Sequence, residues 1–155
     1  MSARPLFAVL SLAAFACARL TLPGWDPERS MLSVRLGGIT RSDAHARTVA
    51  AFAAEGQTIQ AADATAGFIV TTETGRSLLL YTQRFTYRAT VVQAGDSVEV
   101  LLSGSSYNVT GQTHTATLPL SPNDATFLVL ARVAARLRGE PPPDSLSQVT
   151  RPLRP

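Results

Sequence analysis

Hydrophobic and polar residues alternate most regularly between positions 83 and 103. Alternation with a period of two indicates strands that bury one face and expose the other. Gly95 and Asp96 interrupt the pattern, and a two-residue loop with glycine first favours a type II′ turn that pairs Ala94 with Ser97. In that register, seven apolar residues share one face of a β-hairpin: Phe85, Tyr87, Ala89, Val91, Val98, Val100 and Leu102. We expect this face to line the core.

The opposite face of the same hairpin carries Arg84 and Arg88. These two arginines are candidates for contact with an acidic partner or a lipid headgroup, although a solvated sheet face is the simpler interpretation. The aromatic residues Phe85 and Tyr87 point the other way, so stacking surface and positive charge are not presented together. The pattern therefore argues against a nucleic-acid platform.

Two segments carry apolar residues at helical spacing. The first is predicted to begin with Ser42 as its N-cap and to end before Gly56. The second is predicted to begin with Ser121 as its N-cap and to end before Gly139. The apolar stripe of the first comprises His45, Val49, Phe52 and Ala53; that of the second comprises Phe127, Leu130, Ala131, Ala134 and Leu137, with Arg132 and Arg136 on its outer side.

Shorter strands are predicted around this frame, at 33–36, 58–63, 68–74 and 114–118. Gly75 and Arg76 are predicted to form a turn, and 77–81 reads either as an apolar strand or as an irregular segment. Since the sheet and both helices each have one apolar side, packing both helices on the same sheet face is the economical arrangement. The expected fold is α+β: a two-layer sandwich with an antiparallel sheet of four or five strands and two helices on one face.

The N-terminal segment has the pattern of a secretory signal. Arg4 precedes an apolar run over 6–18 that, at about 1.5 Å per residue, is too short to cross the roughly 30 Å hydrocarbon core of a bilayer. A charged start, a short apolar run and then small residues describe a signal peptide, which we assign to residues 1–16.

Four residues at the end of this signal stand where bacterial envelope lipoproteins have their lipobox: Ala14, Phe15, Ala16 and Cys17. They resemble that motif, with Ala14 in place of the preferred larger aliphatic residue. The resemblance implies that Cys17 is lipidated, for example with palmitate, and anchors the protein to a membrane. Because alanine follows the cysteine, it also implies an outer-membrane, periplasm-facing location. Ordinary signal-peptidase cleavage, which would give a secreted periplasmic protein, stays open as the alternative.

The remaining chain divides into a tether, a domain and a tail. Residues 17–30 are predicted to form the lipid anchor and tether, within which Trp25 is expected to dock on the domain. Residues 31–139 form the α+β globular domain, and the proline-rich residues 140–155 are predicted to be a disordered tail. The element order and the tethered N-terminus resemble small α+β domains of outer-membrane assembly lipoproteins.

Composition removes several chemistries from consideration. A single cysteine among 155 residues excludes an intrachain disulfide and any metal site that needs two thiolates. All 14 basic residues are arginine, so phosphate-binding loops ending in lysine and Schiff-base catalysis are excluded. His45 and His114 have no metal-binding spacing, and Ser105 and Ser106 only approach a nucleophile elbow.

We therefore expect no catalytic residue, no metal ligand and no cofactor. The leading hypothesis is a non-enzymatic, membrane-tethered envelope lipoprotein that acts as a protein-interaction or accessory subunit. Its partner would be another envelope protein, not a nucleic acid. The alternative is a periplasmic carrier or sensor of a small apolar ligand held between helices and sheet, where inward-facing alanines could leave space.

Overall fold

A long β-hairpin forms the centre of the fold. In the computed structural model, which describes residues 22–149, strands β6 (Thr82–Ala94) and β7 (Ser97–Thr110) are antiparallel. The predicted register is confirmed, because Ala94 pairs with Ser97. Gly95 has φ 62° and Asp96 has no positive φ, which is the combination that a type II′ turn requires. The predicted signal peptide, Cys17 and residues 150–155 lie outside the described residues.

The sheet extends outward from this hairpin on both sides. Its main path runs β1-β2-β7-β6-β4-β3, and every pairing is antiparallel. The other strands are β1 (Trp25–Asp26), β2 (Met31–Gly37), β3 (Ile59–Asp63), β4 (Phe68–Thr71), β5 (Thr74–Ser77), β8 (Thr113–His114) and β9 (Leu118–Pro119). Within residues 22–149 the sheet thus has nine strands, where four or five were expected. Strands of two residues are too short to leave a periodic signal in a sequence.

The predicted turn at Gly75 and Arg76 is wrong. Both residues lie in β5 and pair in register with Arg84 and Gln83 of β6. The chain reverses further along, at Leu78–Tyr81, where the Leu78 N–H donates to the Tyr81 carbonyl at 2.8 Å. Of the two interpretations of 77–81, the irregular segment is confirmed and the apolar strand is wrong, because Ser77 ends β5 and the turn occupies 78–81.

The predicted strand over 114–118 is also wrong as a continuous element. β7 runs on through the polar residues 103–110, and the chain then returns along its outer edge as the two short strands β8 and β9. The helices do not cover this end of the sheet, since residues 111–119 are all exposed. Without a buried face, the alternation that identifies a strand in a sequence is lost.

Helix α1 (Arg41–Ala54) begins one residue before the predicted cap. Its N-cap is Thr40, whose hydroxyl accepts a hydrogen bond from the Asp43 N–H at 3.1 Å, so the assignment of Ser42 as N-cap is wrong. The helix ends before Gly56, as predicted. Its buried face is also rotated from the expected stripe and consists of Ala44, His45, Thr48, Ala51 and Phe52.

Helix α2 (Phe127–Arg138) begins several residues later than predicted. Ser121 does not cap it, because its carbonyl accepts from the Asp124 N–H in a separate turn. The carboxylate of Asp124 then binds the Thr126 N–H at 2.9 Å, which holds this turn before the helix. The apolar stripe is confirmed, since all five predicted residues are buried: Phe127, Leu130, Ala131, Ala134 and Leu137. The helix ends at Gly139, as predicted.

Part of the predicted tether and part of the predicted tail pack on the domain. Leu22 is buried, and the Trp25 ring meets the Phe127 ring edge-on at 5.1 Å, so the expected docking of Trp25 is confirmed. Gly24 has φ 81° and lies so close to β2 that a side chain there would collide with the Ser33 carbonyl. In the tail, the four-residue helix α3 (Leu146–Val149) brings Leu146 against the core. Parts of 22–30 and of 140–149 therefore contact the domain.

One core joins the buried side chains of α1 and α2 to one face of the sheet. The fold is therefore α+β with an antiparallel open sheet, as predicted in outline. Arg132 and Arg136, expected on the outer side of α2, pair with Glu55 at the end of α1, at 3.5 and 2.7 Å, and Arg136 is exposed as predicted. No helix within residues 22–149 is both long enough and apolar enough to cross a membrane.

Candidate functional site

The sheet face opposite the helices is the surface on which the sequence placed Arg84 and Arg88. We call it the open face and define it by Arg84, Arg88, Tyr107, Phe68 and Val92 together with the residues between them. Strand register puts these side chains on one side, because Arg84 pairs with Tyr107 and Thr90 pairs with Phe68. The neighbouring residues Phe85 and Tyr87 face the helices instead, and Tyr87 is completely buried.

Arg84 is part of a polar cluster at the end of the open face nearest the Leu78–Tyr81 turn. Its guanidinium lies 3.6 Å from a carboxylate oxygen of Glu73, and the Tyr107 hydroxyl donates to the other oxygen at 2.7 Å. The ring of His114 lies 5.6 Å from the ring of Tyr107. Glu73 therefore neutralises part of the charge of Arg84 and fixes the Tyr107 ring, so the cluster presents an ordered aromatic surface beside an arginine.

The hydrogen bond to Glu73 raises the pKa of the Tyr107 hydroxyl, and desolvation and the charge of Glu73 act in the same direction, while Arg84 opposes them. The neutral phenol is the form that can donate to a carboxylate, so this cluster holds Tyr107 protonated. A protonated, carboxylate-bound phenol is a poor nucleophile and a poor base. The cluster therefore keeps Tyr107 beside Arg84 as a neutral hydrogen-bond donor.

Arg88 lies near the centre of the open face and is exposed. It pairs in register with Ser103 of β7 and Val70 of β4 and, within residues 22–149, takes part in no ion pair. Its charge is therefore available to an acidic group of a partner. Both predicted site arginines stand on the same face of the same strand, but only Arg84 has an internal carboxylate partner.

Exposed apolar side chains lie among these charges. Phe68 is 39% exposed and Val92 is 40% exposed, and they flank Thr90 at the end of the face nearest Gly95. Glu99 lies beside them, where its carboxylate accepts a hydrogen bond from the Ser33 hydroxyl. The open face is therefore neither a uniformly charged surface nor a uniformly apolar one.

The remaining candidate residues from the sequence do not come together. His45 is buried in the helix layer with its Nε2 at 3.3 Å from the Phe68 carbonyl, whereas His114 lies exposed beside Tyr107. Ser105 and Ser106 lie within β7, so the near match to a nucleophile elbow has no strand-to-helix turn. Within residues 22–149, no group of three or more His, Cys, Asp and Glu residues could hold a metal ion. Cys17 is outside the described residues.

Sequence reasoning missed two features. One is the Glu73–Tyr107 contact, which joins residues 34 positions apart and could be found only from the strand order. The other is the run Leu78–Tyr81, which is apolar throughout but forms an exposed turn with Leu79 fully exposed. A run of four apolar residues between two polar strands could have indicated a protruding turn.

Comparison with known proteins adds no assignment to this geometry. No protein-family model matches the chain, and no curated protein is significantly similar to it.

Proposed function

We propose that this chain is a membrane-tethered bacterial envelope lipoprotein that acts as a non-enzymatic protein-interaction or accessory subunit, with the open face as its binding surface. The observation that carries the proposal is the contrast between the sheet faces. The helices cover one face, while the other presents Arg84, Arg88, Tyr107 and two exposed apolar residues on a rigid sheet.

The composition of the open face suits a protein partner. Arginine and aromatic residues are enriched in protein interfaces and dominate their hot spots. Tyr107 is already held by Glu73, so little side-chain freedom would be lost on binding there. The partner would present carboxylates toward Arg88 and apolar side chains toward Phe68 and Val92.

The anchor in this proposal is Cys17, on the resemblance of its surroundings to a lipobox. The described residues begin at Leu22, which is buried and lies five residues after the cysteine. Five extended residues reach at most about 18 Å. A lipid on Cys17 would therefore hold the domain close to the periplasmic surface of the outer membrane, while cleavage beyond Cys17 would release it into the periplasm.

Metabolic labelling tests the anchor. Labelled palmitate should enter the wild-type chain but not Cys17→Ser, and globomycin should block maturation of the wild type. Recovery of the untreated wild type as soluble periplasmic protein would contradict lipidation and support simple secretion.

Site-specific photo-crosslinking tests the binding surface. A photoreactive residue in place of Thr90, which is exposed on the open face, should crosslink to a defined envelope protein, whereas one in place of Arg47, which is exposed on α1, should not. Charge reversal by Arg84→Glu and Arg88→Glu should reduce the crosslink to that protein at least tenfold. Equal crosslinking from both positions would contradict the choice of the open face. If His45→Gln or His114→Gln abolished the cellular function of the protein but left the crosslink to the partner intact, catalysis would be favoured instead.

A second candidate function rests on a groove between the C-terminal parts of α1 and α2. The groove has a volume of about 610 Å³, within the usual range of small-molecule sites, and its floor includes Ala50, Ala51, Ala54 and Leu137. It opens on the outer side of the helices rather than between helices and sheet, where the sequence suggested a ligand. A lipid that co-purifies with the protein, seen in a mass spectrum and lost in Ala54→Trp, would favour this carrier function.

A further inference from the structure

The turn at the end of the β5–β6 hairpin exposes more apolar surface than any role in the fold requires. We call this turn, Leu78–Tyr81, the apolar tip. Leu79 is 100% exposed and Leu80 is 78% exposed, and Tyr81 beside them is 37% exposed. None of these three side chains belongs to the core that the described residues form. Replacing them would thus cost the fold little.

Turn chemistry does not explain these residues either. Tight turns favour Gly, Asn, Asp, Ser and Pro, each for a backbone or hydrogen-bonding reason that leucine does not meet. Exposed apolar residues scattered singly are common on proteins, but adjacent exposed leucines at a protruding turn form a patch of the kind that marks an interaction site. We therefore expect the apolar tip to contact an apolar environment outside the domain.

Two arginines stand just behind the apolar tip, one on each side of the hairpin. Arg76 pairs with Gln83 and Arg84 pairs with Gly75, so the two arginines occupy successive register positions and point to opposite faces. Arg76 is exposed and, within residues 22–149, forms no ion pair, while Arg84 shares the carboxylate of Glu73. Arg76 is three residues from Leu79, so their Cα atoms are separated by at most about 10 Å.

We propose that the apolar tip inserts into the boundary between headgroups and acyl chains of a phospholipid bilayer, with Arg76 and Arg84 at the level of the lipid phosphates. Apolar groups of surface-bound proteins reach about 5–10 Å into this boundary, which matches the spacing between the leucines and the arginines. Tyrosine is favoured at the same depth, where Tyr81 would lie.

The charge pattern favours a bilayer over a protein groove as the occupant. A planar layer of headgroups offers phosphates all around an inserted tip, which suits cations on both faces of the hairpin. The insertion needs no lipid on Cys17, the predicted attachment site, and it shares only Arg84 with the open face.

Fluorescence of a label at the tip tests the insertion directly. The full chain carrying Cys17→Ser and Tyr81→Cys, labelled with an environment-sensitive fluorophore, is mixed with vesicles of phosphatidylcholine and phosphatidylglycerol. We expect a blue shift and strong quenching by nitroxide-labelled lipid. The same label at Asp96→Cys, at the other end of β6, should show neither, since Asp96 lies in the opposite turn.

Substitutions identify the groups responsible. Leu79→Ser combined with Leu80→Ser should lower the inserted fraction at least tenfold, whereas Val92→Ser, an exposed apolar residue elsewhere, should leave it unchanged. Arg76→Gln should lower it about fivefold in vesicles with phosphatidylglycerol and less in phosphatidylcholine alone.

Three outcomes would overturn the proposal. They are a label at the tip that stays in water with both kinds of vesicle, insertion that the leucine substitutions do not reduce, and shielding of the tip only when envelope proteins are added. Shielding only by added envelope proteins would mean that the apolar tip binds a protein and not a bilayer. Failure of palmitate labelling at Cys17 leaves this readout unaffected, so the anchor and the tip are tested separately.

Discussion

Tyr87 and Arg88 are neighbours in β6, yet the Tyr87 side chain is completely buried and that of Arg88 is exposed. The same strands thus form two surfaces with different requirements. On the buried face, side chains must fill space under two helices and satisfy every polar group. On the open face, side chains keep contact with water, so packing constrains their identity much less. Substitutions on the two faces should therefore separate stability from binding.

The largest expected effect comes from the buried face. Phe52→Ala should lower the free energy of unfolding by about 3–5 kcal/mol, because Phe52 is fully buried against Tyr87 and its removal leaves a cavity. Val92→Ala on the open face should cost less than about 1 kcal/mol. Urea denaturation measures both, and similar losses would mean that the two faces do not differ as described.

The next largest difference in stability is expected between two of the carboxylates that pair with arginines. The Glu55 side chain is 6% exposed between Arg132 and Arg136, whereas Glu73 is 40% exposed beside Arg84. Glu55→Gln should cost about 2 kcal/mol, since it leaves charged groups without their partner at the junction of the helices. Glu73→Gln should cost less than about 1 kcal/mol. Equal costs would show that burial does not set the strength of these pairs.

Stability at alkaline pH should depend on Tyr87, on the buried face, much more than on Tyr107, on the open face. Burial raises the pKa of Tyr87 above its ordinary value of 10.0, and Asp124 adds to this, while the side chain of Thr126 opposes it. Because the folded pKa is raised, this contribution to stability is fully present below pH 10 and is lost as the pH rises. The free energy of unfolding should fall by about 1.4 kcal/mol per pH unit above pH 10.

The variants Tyr87→Phe and Tyr107→Phe check this assignment. Removing the Tyr87 phenol should abolish most of the alkaline loss, although it also removes the bond from the Tyr87 hydroxyl to the Thr126 carbonyl. Tyr107→Phe should change the pH dependence much less, since Tyr107 is not in the core. Chemical denaturation at a series of pH values gives the slopes, and a wild-type slope that Tyr87→Phe leaves intact would assign the loss to other groups.

The smallest effect on stability should come from Arg88. Arg88→Ala should change the free energy of unfolding by less than about 0.5 kcal/mol, because Arg88 is exposed and forms no ion pair within residues 22–149. The same substitution should weaken crosslinking to the envelope partner. A large loss of stability would mean that Arg88 supports the fold and would remove it as a binding residue.

Local signals in the sequence were sufficient for the centre of the fold. Alternation and the Gly95–Asp96 loop gave the register of β6 and β7, and the apolar stripe of α2 was correct in all five positions. Those features depend on contacts near in the chain and on a buried face that repeats at a fixed period. The placement of Arg84 and Arg88 on the open face followed from the same period.

The helix starts could not be predicted in the same way. Ser42 and Thr40 are both good N-cap residues, and the backbone conformation at Thr40 decided between them. At α2, the bonds from Thr126 to the Asp124 carboxylate stabilise a turn before the helix, so the residues after Ser121 do not continue it. Polar side chains that serve equally in caps and in turns leave such boundaries to the tertiary context.

The sequence by itself determined that this is an α+β domain built on one amphipathic hairpin, because periodic burial is written into the order of residues. Only the tertiary structure decided which distant residues meet. It brought Glu55 to Arg132 and Arg136, Glu73 to Tyr107, and Trp25 to Phe127. It also left Leu79 and Leu80 exposed at a turn rather than buried in a strand. Pairings of this kind depend on strand order and helix packing, and no local period encodes them.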